Sequence, residues 1–142
     1  MNDRDLLAVL AAGPTSGEAL AARLGISRSA VHKRMESLRE SGIGIDAQAG
    51  RGYALRAPCD LLDADAIRAR LTEPARALLA TLDVEWIVDS SNSVLLRREG
   101  VADGAQALLV EGQSGGRGRR GRTWRSPLAA NLYLSLARRY AG

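Results

Sequence analysis

The sequence predicts an α+β protein in two parts, a small helical unit that ends in a β-hairpin and a mixed α/β unit after it. Three observations predict this. Leucines and other apolar residues recur at helical spacing three times before residue 40. A strand-turn-strand pattern follows, with Gly50-Arg51-Gly52 at its tip. Beyond a proline-containing junction, Leu82-Val84-Trp86-Val88 and Leu132-Leu134-Leu136 alternate, and an apolar run covers Gln106 to Glu111.

Taken in order, Leu6, Leu7 and Leu10 make one face of a helix from Asp3 to Ala12, which Gly13-Pro14 ends. Thr15 and Glu18 have the spacing of a capping box and open a second helix with Leu20, Ala21 and Leu24 inward. Gly25 closes it, Ile26 fills the turn, and Ser27 caps a third helix whose Val31, Met35 and Leu38 share the core face. Ile43, Ile45 and Ala47 alternate into the tip, and Tyr53 and Leu55 return from it. The plainer reading is a helical hairpin with a solvated charged face. The added β-hairpin with arginine at its apex makes residues 1 to 56 resemble a winged helix-turn-helix DNA-binding domain. In that geometry the second helix of the pair enters the major groove, and Arg28, Ser29, His32, Lys33 and the apical Arg51 are the candidate DNA contacts.

Residues 57 to 62 read as a linker because Pro58 continues neither helix nor strand. The second domain, 63 to 142, starts with a helix over Leu61 to Leu71 with Asp63 near its beginning, followed by the strand Thr81 to Val88. Asp89-Ser90-Ser91-Asn92 are all cap-forming residues before a helix from Ser93 to Glu99. They either only cap that helix or hold a small polar head group with it. Two strands follow, Gln106 to Glu111 and Asn131 to Ala137, and Arg138 to Gly142 add no further element. Three strands with two short helices leave an exposed sheet face or edge.

Composition narrows the function. With 46% hydrophobic and 25% charged residues the chain reads as globular, and it has no membrane-length apolar run and no signal-peptide pattern, so a cytoplasmic location is expected. One cysteine, Cys59, makes no internal disulfide, and its place in the linker reads as incidental. His32 is the single histidine, which disfavours a His-based triad or metal site; no metal-ligating set is expected. Net charge is +4, yet residues 112 to 142 hold seven arginines and no acid, leaving 13 basic against 16 acidic residues before them. Within that acidic part lies a basic island with Arg23, Arg28, Lys33, Arg34 and Arg39. Two separated cationic sites imply two anionic partners.

The second cationic site is Gly115 to Trp124, where Arg117, Arg119, Arg120 and Arg122 interleave with Gly116, Gly118 and Gly121. Arginine forks match phosphate and carboxylate oxygens, and glycines let the backbone approach a ligand. A dinucleotide-binding fingerprint would need a helix opening here, and an RNA-gripping Arg-Gly segment would be longer and repetitive. The loop reads as closing over an anion.

Asp89-Ser-Ser-Asn92 before a helix, Gln113 with Gly116-Arg-Gly-Arg-Arg-Gly-Arg122, Trp124, Ser126-Pro127 and Asn131-Leu-Tyr-Leu-Ser135, after a winged helix, closely resemble the bacterial bifunctional biotin protein ligase and biotin operon repressor family. The resemblance implies a ligase that joins biotin to ATP as biotinoyl-AMP and passes the biotinoyl group to a lysine of biotin carboxyl carrier protein. It implies Ser90, Ser91, Asn92, Gln113, Arg117, Gly118 and Arg119 as biotin-site residues. Arg119 and Arg122 are expected to act on the transferring group by electrostatics. Trp124 either shields the adenylate from water or anchors the loop. Magnesium is expected with ATP, with no identifiable ligand here. The resemblance further implies that biotinoyl-AMP favours a homodimer that binds operator DNA.

There are departures. The family continues into a Lys-Trp-Pro-Asn-Asp-like segment with an active-site lysine, whereas Lys33 is the one lysine here. Ser91 stands where threonine is common, and Ser114-Gly115 is a mild variation. The chain is therefore expected to be an N-terminal, truncated portion of a ligase with impaired catalysis. The alternative is a small winged-helix regulator that senses an anionic ligand without catalysis.

Overall fold

A computed structural model describes residues 3–98, 103–122 and 124–139. The chain divides into two compact units, Met1–Leu61 and Leu62–Gly142. The first has helices α1 (Asp3–Ala11), α2 (Gly17–Leu24) and α3 (Arg28–Glu40), followed by an antiparallel hairpin of β1 (Ile45–Gln48) and β2 (Gly52–Leu55). Leu6, Leu7, Leu10, Leu20, Leu24, Val31, Met35, Leu38, Ile43 and Ile45 are its buried core. Ala21, expected inward, is half-buried, and on the returning strand Ala54 is the buried residue.

The start of α2 differs from the expectation by one residue. Ser16 is the N-cap, its hydroxyl accepting from the Ala19 amide at 3.1 Å. Thr15 is unavailable because its amide and carbonyl both pair with Tyr53, each at 2.9 Å. That bridge ties the hairpin to the root of α2, and it is why residue 52 is glycine. Gly52 has φ +85°, and a Cβ there would strike the Thr15 carbonyl oxygen. Gly25 ends α2 in the left-handed conformation and Ser27 caps α3, both as expected.

The second unit contains α4 (Ala64–Arg70), α5 (Glu73–Leu78), β3 (Leu79–Val88), α6 (Ser91–Arg97), β4 (Ala105–Gln113), a 3-10 turn (Arg119–Gly121) and β5 (Tyr133–Arg138). Its sheet has the order β3-β4-β5, with β3 and β4 parallel and β4 and β5 antiparallel. Asp63 caps α4 through Ala66 N at 2.7 Å, so Leu61 and Leu62 stand outside the helix assigned to them by sequence. Helix α5 was not anticipated; Thr72 opens it with a proline in its first turn. Strand β3 begins at Leu79, two residues before its expected start. Helix α6 begins at Ser91 rather than Ser93 because Ser90, not the whole tetrad, is the cap; the expected helix end at Glu99 lies outside the described residues, as do Tyr140 to Gly142.

Central strand β4 is buried from Gln106 to Gly112 between two small cores. On one face Leu108, Val110 and Tyr133 pack with Leu95 of α6. On the other, Leu82, Ala107 and Leu109 pack with Leu62, Ile67 and Leu71. Strand β5 begins at Tyr133, two residues after its expected start, and its leucines lie on the less covered side. Tyr133 is buried and Ser135 and Ala137 half-buried, while Leu132, Leu134 and Leu136 are 64%, 47% and 64% exposed. Tyr133 takes the covered side because α6 packs there and its hydroxyl donates to Pro127 O at 3.2 Å. The exposed part of the sheet is the β5 edge of the leucine face, beside the core that covers Ala107 and Leu109.

Candidate functional site

The first unit presents α3 beside the hairpin. Arg28, Ser29, His32 and Lys33 all lie exposed on α3, because Val31, Met35 and Leu38 take its inner face, and Arg51 is exposed in the hairpin turn. A cleft of about 640 Å³ brings Arg28, Ser29 and His32 together with Glu18, Gly50 and Tyr53. Lys33 and Arg51 are outside its lining. Two other cations of the basic island are engaged: Arg39 pairs with Glu36 and donates to Ile45 O at 2.9 Å, and Arg34 reaches Asp3 at 4.0 Å. The positive face of α3 is thereby concentrated toward its N-terminal half.

In the second unit, the C-terminal ends of parallel strands β3 and β4 deliver two motifs to one place, the position where open α/β sheets hold ligands. Val88 pairs with Gln113 in register. The Gln113 carboxamide oxygen accepts from the Ser91 amide at 2.8 Å and from its hydroxyl at 3.2 Å. Ser91 Oγ also lies 2.8 Å from Ser135 Oγ on β5. Ser91 is buried, so these bonds are shielded from water. Ser135 was present in the sequence motif but carried no assigned role; only the half-buried side of β5 puts it here. Ser90 accepts from Ser93 N at 3.4 Å as the helix cap, while Ser91 joins the polar cluster. Asn92 is exposed and lines a separate cavity of about 630 Å³ with Leu96, Arg98 and Leu136.

Asp89, just before the cap, is clamped by Arg97, whose two guanidinium nitrogens donate at 2.7 and 2.8 Å to its two oxygens. These bonds, with a further one from the Ser90 amide, hold the Asp89 carboxyl well below the usual carboxylate range, and the same pair raises Arg97. The glycine-arginine loop is rooted against this point: Ser114 N donates to Val88 O at 2.9 Å and Gly115 N to Asp89 O at 2.7 Å.

The loop then folds on itself. Gly118 N donates to Arg122 O at 3.1 Å, and Arg120 adopts φ +60°, a conformation costly for an arginine. The indole of Trp124 lies over Gly116, where a Cβ would stand 2.6 Å from its Cδ1. Gly118, Arg119, Arg120, Arg122 and Trp124 line a cavity of about 400 Å³, and Arg117 lies outside that lining. Thr123 lies outside the described residues. No ion pair is formed by Arg117, Arg119, Arg120 or Arg122 among the described residues. Beneath the loop Ser126 Oγ is buried without a hydrogen-bond partner among the described residues. Nor do the described residues hold a cluster of His, Cys, Asp or Glu suited to a metal ion, or a helix long and apolar enough to cross a membrane.

The fold defines a class: a winged helix-turn-helix unit followed by a mixed α/β unit with a glycine-arginine loop at its strand ends. Residues 3–54 match the HTH domain family. Over 132 residues, 92% of its length, the chain is 44% identical to the bifunctional ligase/repressor BirA of Salmonella typhimurium and 42% identical to that of Escherichia coli, covering 39% of each relative. It is 31% identical over 122 residues to the Bacillus subtilis protein of the same name, covering 85% of this chain and 37% of the relative. The chain matches the N-terminal portion of BirA and spans about two fifths of the length of these relatives.

Proposed function

We propose that this chain supplies the operator-binding unit and part of the biotin and adenylate site of a biotin protein ligase that also represses biotin biosynthesis genes. The observation that carries the ligase half is the meeting of Ser91, Gln113 and the arginine loop root at the ends of β3 and β4. The loop fits a phosphorylated acyl group. Arginines without ion pairs and the Ser126 hydroxyl without a hydrogen-bond partner, both among the described residues, together with a glycine-lined approach at Gly116 and Gly118, are complementary to anionic oxygens.

In the proposed reaction the biotin carboxylate attacks the α-phosphorus of ATP. A carboxylate–phosphorus bond forms and the bond to pyrophosphate breaks. A carrier-protein lysine amine then attacks the acyl carbon and AMP leaves. Ser90, Ser91 and Gln113 are the proposed head-group contacts, with Ser91 and Gln113 prearranged by their mutual bonds, and Asn92, which faces a separate cavity here, would join them only by turning toward the strand ends. Arg117 and Gly118 belong to the proposed loop over biotin and the adenylate, and Arg119 and Arg122 offset the charge that accumulates during phosphoryl transfer. Trp124, 53% exposed, is the proposed shield of the mixed anhydride once the loop closes. Magnesium would accompany ATP through its phosphates. The proposed partners are biotin, biotinoyl-AMP, the carrier protein and operator DNA, with dimerisation on ligand binding and a cytoplasmic setting.

The repressor half rests on α3, whose exposed Arg28, Ser29, His32 and Lys33 accompany an apical Arg51. Two measurements test the two halves. Titration with biotinoyl-AMP, followed by tryptophan fluorescence, should saturate in the wild type; an unresponsive signal with no heat of binding refutes the adenylate site. Duplex DNA binding should fall steeply with salt, and Lys33→Ala should lower the log–log salt slope by about 1. Binding indifferent to salt refutes the DNA reading.

A further inference from the structure

Tyr53 holds three elements of the first unit at once. Its backbone makes both bonds to Thr15 at 2.9 Å, and its ring lies against Gly17, where a Cβ would sit 3.4 Å from Cε2. Its hydroxyl lies 3.4 Å from His32 Nδ1. His32 is the sole histidine, exposed on the outer face of α3, and its Nε2 has no partner among the described residues. The side chains of Glu18, Arg28, Ser29 and Gln48 line the same cleft.

We infer that Tyr53 is a positioning residue that fixes the His32 ring so that its Nε2–H donates to the N7 of a purine in the major groove. The inference rests on the DNA-binding reading of α3. A phenol is the better proton donor of the pair and an imidazole nitrogen the better acceptor, so the Tyr53 hydroxyl donates to Nδ1. The ring proton of the neutral imidazole then sits on Nε2, which makes the free edge of the ring a donor. A donor pairs with a major-groove acceptor, of which N7 is the one both purines share, and is turned away by the exocyclic amino groups, which are themselves donors. Arg28, one turn earlier, adds donors to the same cleft and favours an acceptor-rich base edge. A base edge is preferred over a phosphate because His32 stands in the first half of α3, the part of such a helix that meets bases.

The test uses the full chain. A duplex is selected by it from a random pool, and each purine of the selected site is replaced singly by its 7-deaza analogue, which keeps base pairing and removes N7. The wild type should lose about five-fold in affinity at one purine position, the worth of one hydrogen bond. His32→Ala should abolish that sensitivity while other positions respond as before. Tyr53→Phe, which keeps the ring on Gly17, should reduce it below two-fold with an unchanged salt slope, a split that a merely structural tyrosine would not produce. Equal sensitivity in all three proteins overturns the inference and leaves DNA binding intact, as does a loss seen only with a neutral methylphosphonate linkage. If no duplex is enriched, the DNA-binding reading itself fails and takes the inference with it.

Discussion

Replacing Ser91 by alanine tests whether the polar cluster at the strand ends is a prearranged unit. The substitution removes the hydroxyl, which lies 3.2 Å from Gln113 Oε1 and 2.8 Å from Ser135 Oγ, but leaves the amide bond to Gln113 at 2.8 Å. Two neutral, shielded hydrogen bonds at about 1 kcal/mol each, offset by about 0.5 kcal/mol from the better helix propensity of alanine, amount to about 1.5 kcal/mol of destabilisation. Ser135→Ala removes one of the two bonds and should cost about 1 kcal/mol. The double variant should cost less than the sum of the singles by roughly 0.5 to 1 kcal/mol, because the shared bond is counted in both. Both tryptophans, Trp86 and Trp124, lie in the second unit, so urea unfolding of the full chain followed by tryptophan fluorescence reports this unit alone. For an m-value of about 1.5 kcal/mol/M the Ser91→Ala midpoint falls by roughly 1 M. An unmoved midpoint, or single effects that add without residual, would show that the cluster contributes no coupling and that Ser91 only fills space.

Further outcomes follow from the geometry. Met35 is fully buried in the first unit, so Met35→Ala should destabilise that unit by about 2 to 5 kcal/mol in far-UV circular dichroism melts, with the tryptophan-reported transition of the second unit unchanged. A Cβ on residue 118 would stand 2.6 Å from the Arg122 carbonyl oxygen, so Gly118→Ala should open the loop and raise iodide quenching of Trp124 while unfolding midpoints stay within about 0.5 kcal/mol. The clamp on Asp89 depresses its carboxyl in the folded state, so its stabilisation is complete above the ordinary carboxylate range near pH 4 and is lost as pH falls toward the lower folded-state value. The stability gap between wild type and Asp89→Asn should therefore close on acidification, and a gap constant from pH 6 to the acid limit contradicts the clamp. Arg119→Gly should speed release of biotinoyl-AMP by roughly ten-fold or more, the worth of one charge-assisted bond, with the fold intact; an unchanged release rate removes Arg119 from the site.

What the sequence determined by itself was local. Caps and breakers are short-range chemistry, so Gly25 and Ser27 bound their helices as read, and the three-residue and four-residue spacing of Val31, Met35 and Leu38 placed the face of α3 without knowledge of what covers it. The glycine-arginine loop was legible for the same reason, since its charge and lack of helix formers need no partner to be recognised. Tertiary structure decided the rest. Thr15 and Ser16 are both good caps, and the choice between them was made by Tyr53, 38 positions away, through the β-bridge that occupies Thr15. Strand β5 alternates leucines with tyrosine, serine and alanine, and a period of two names two faces without saying which is covered. Helix α6 covers the Tyr133 side and brings Ser135 to Ser91 from 44 positions away, a meeting that no local spacing encodes. The sequence thus carries the parts of both candidate sites, while strand pairing, of β1 with β2 in one unit and of β3, β4 and β5 in the other, sets which of them touch, because hydrogen bonds between distant segments depend on register and packing.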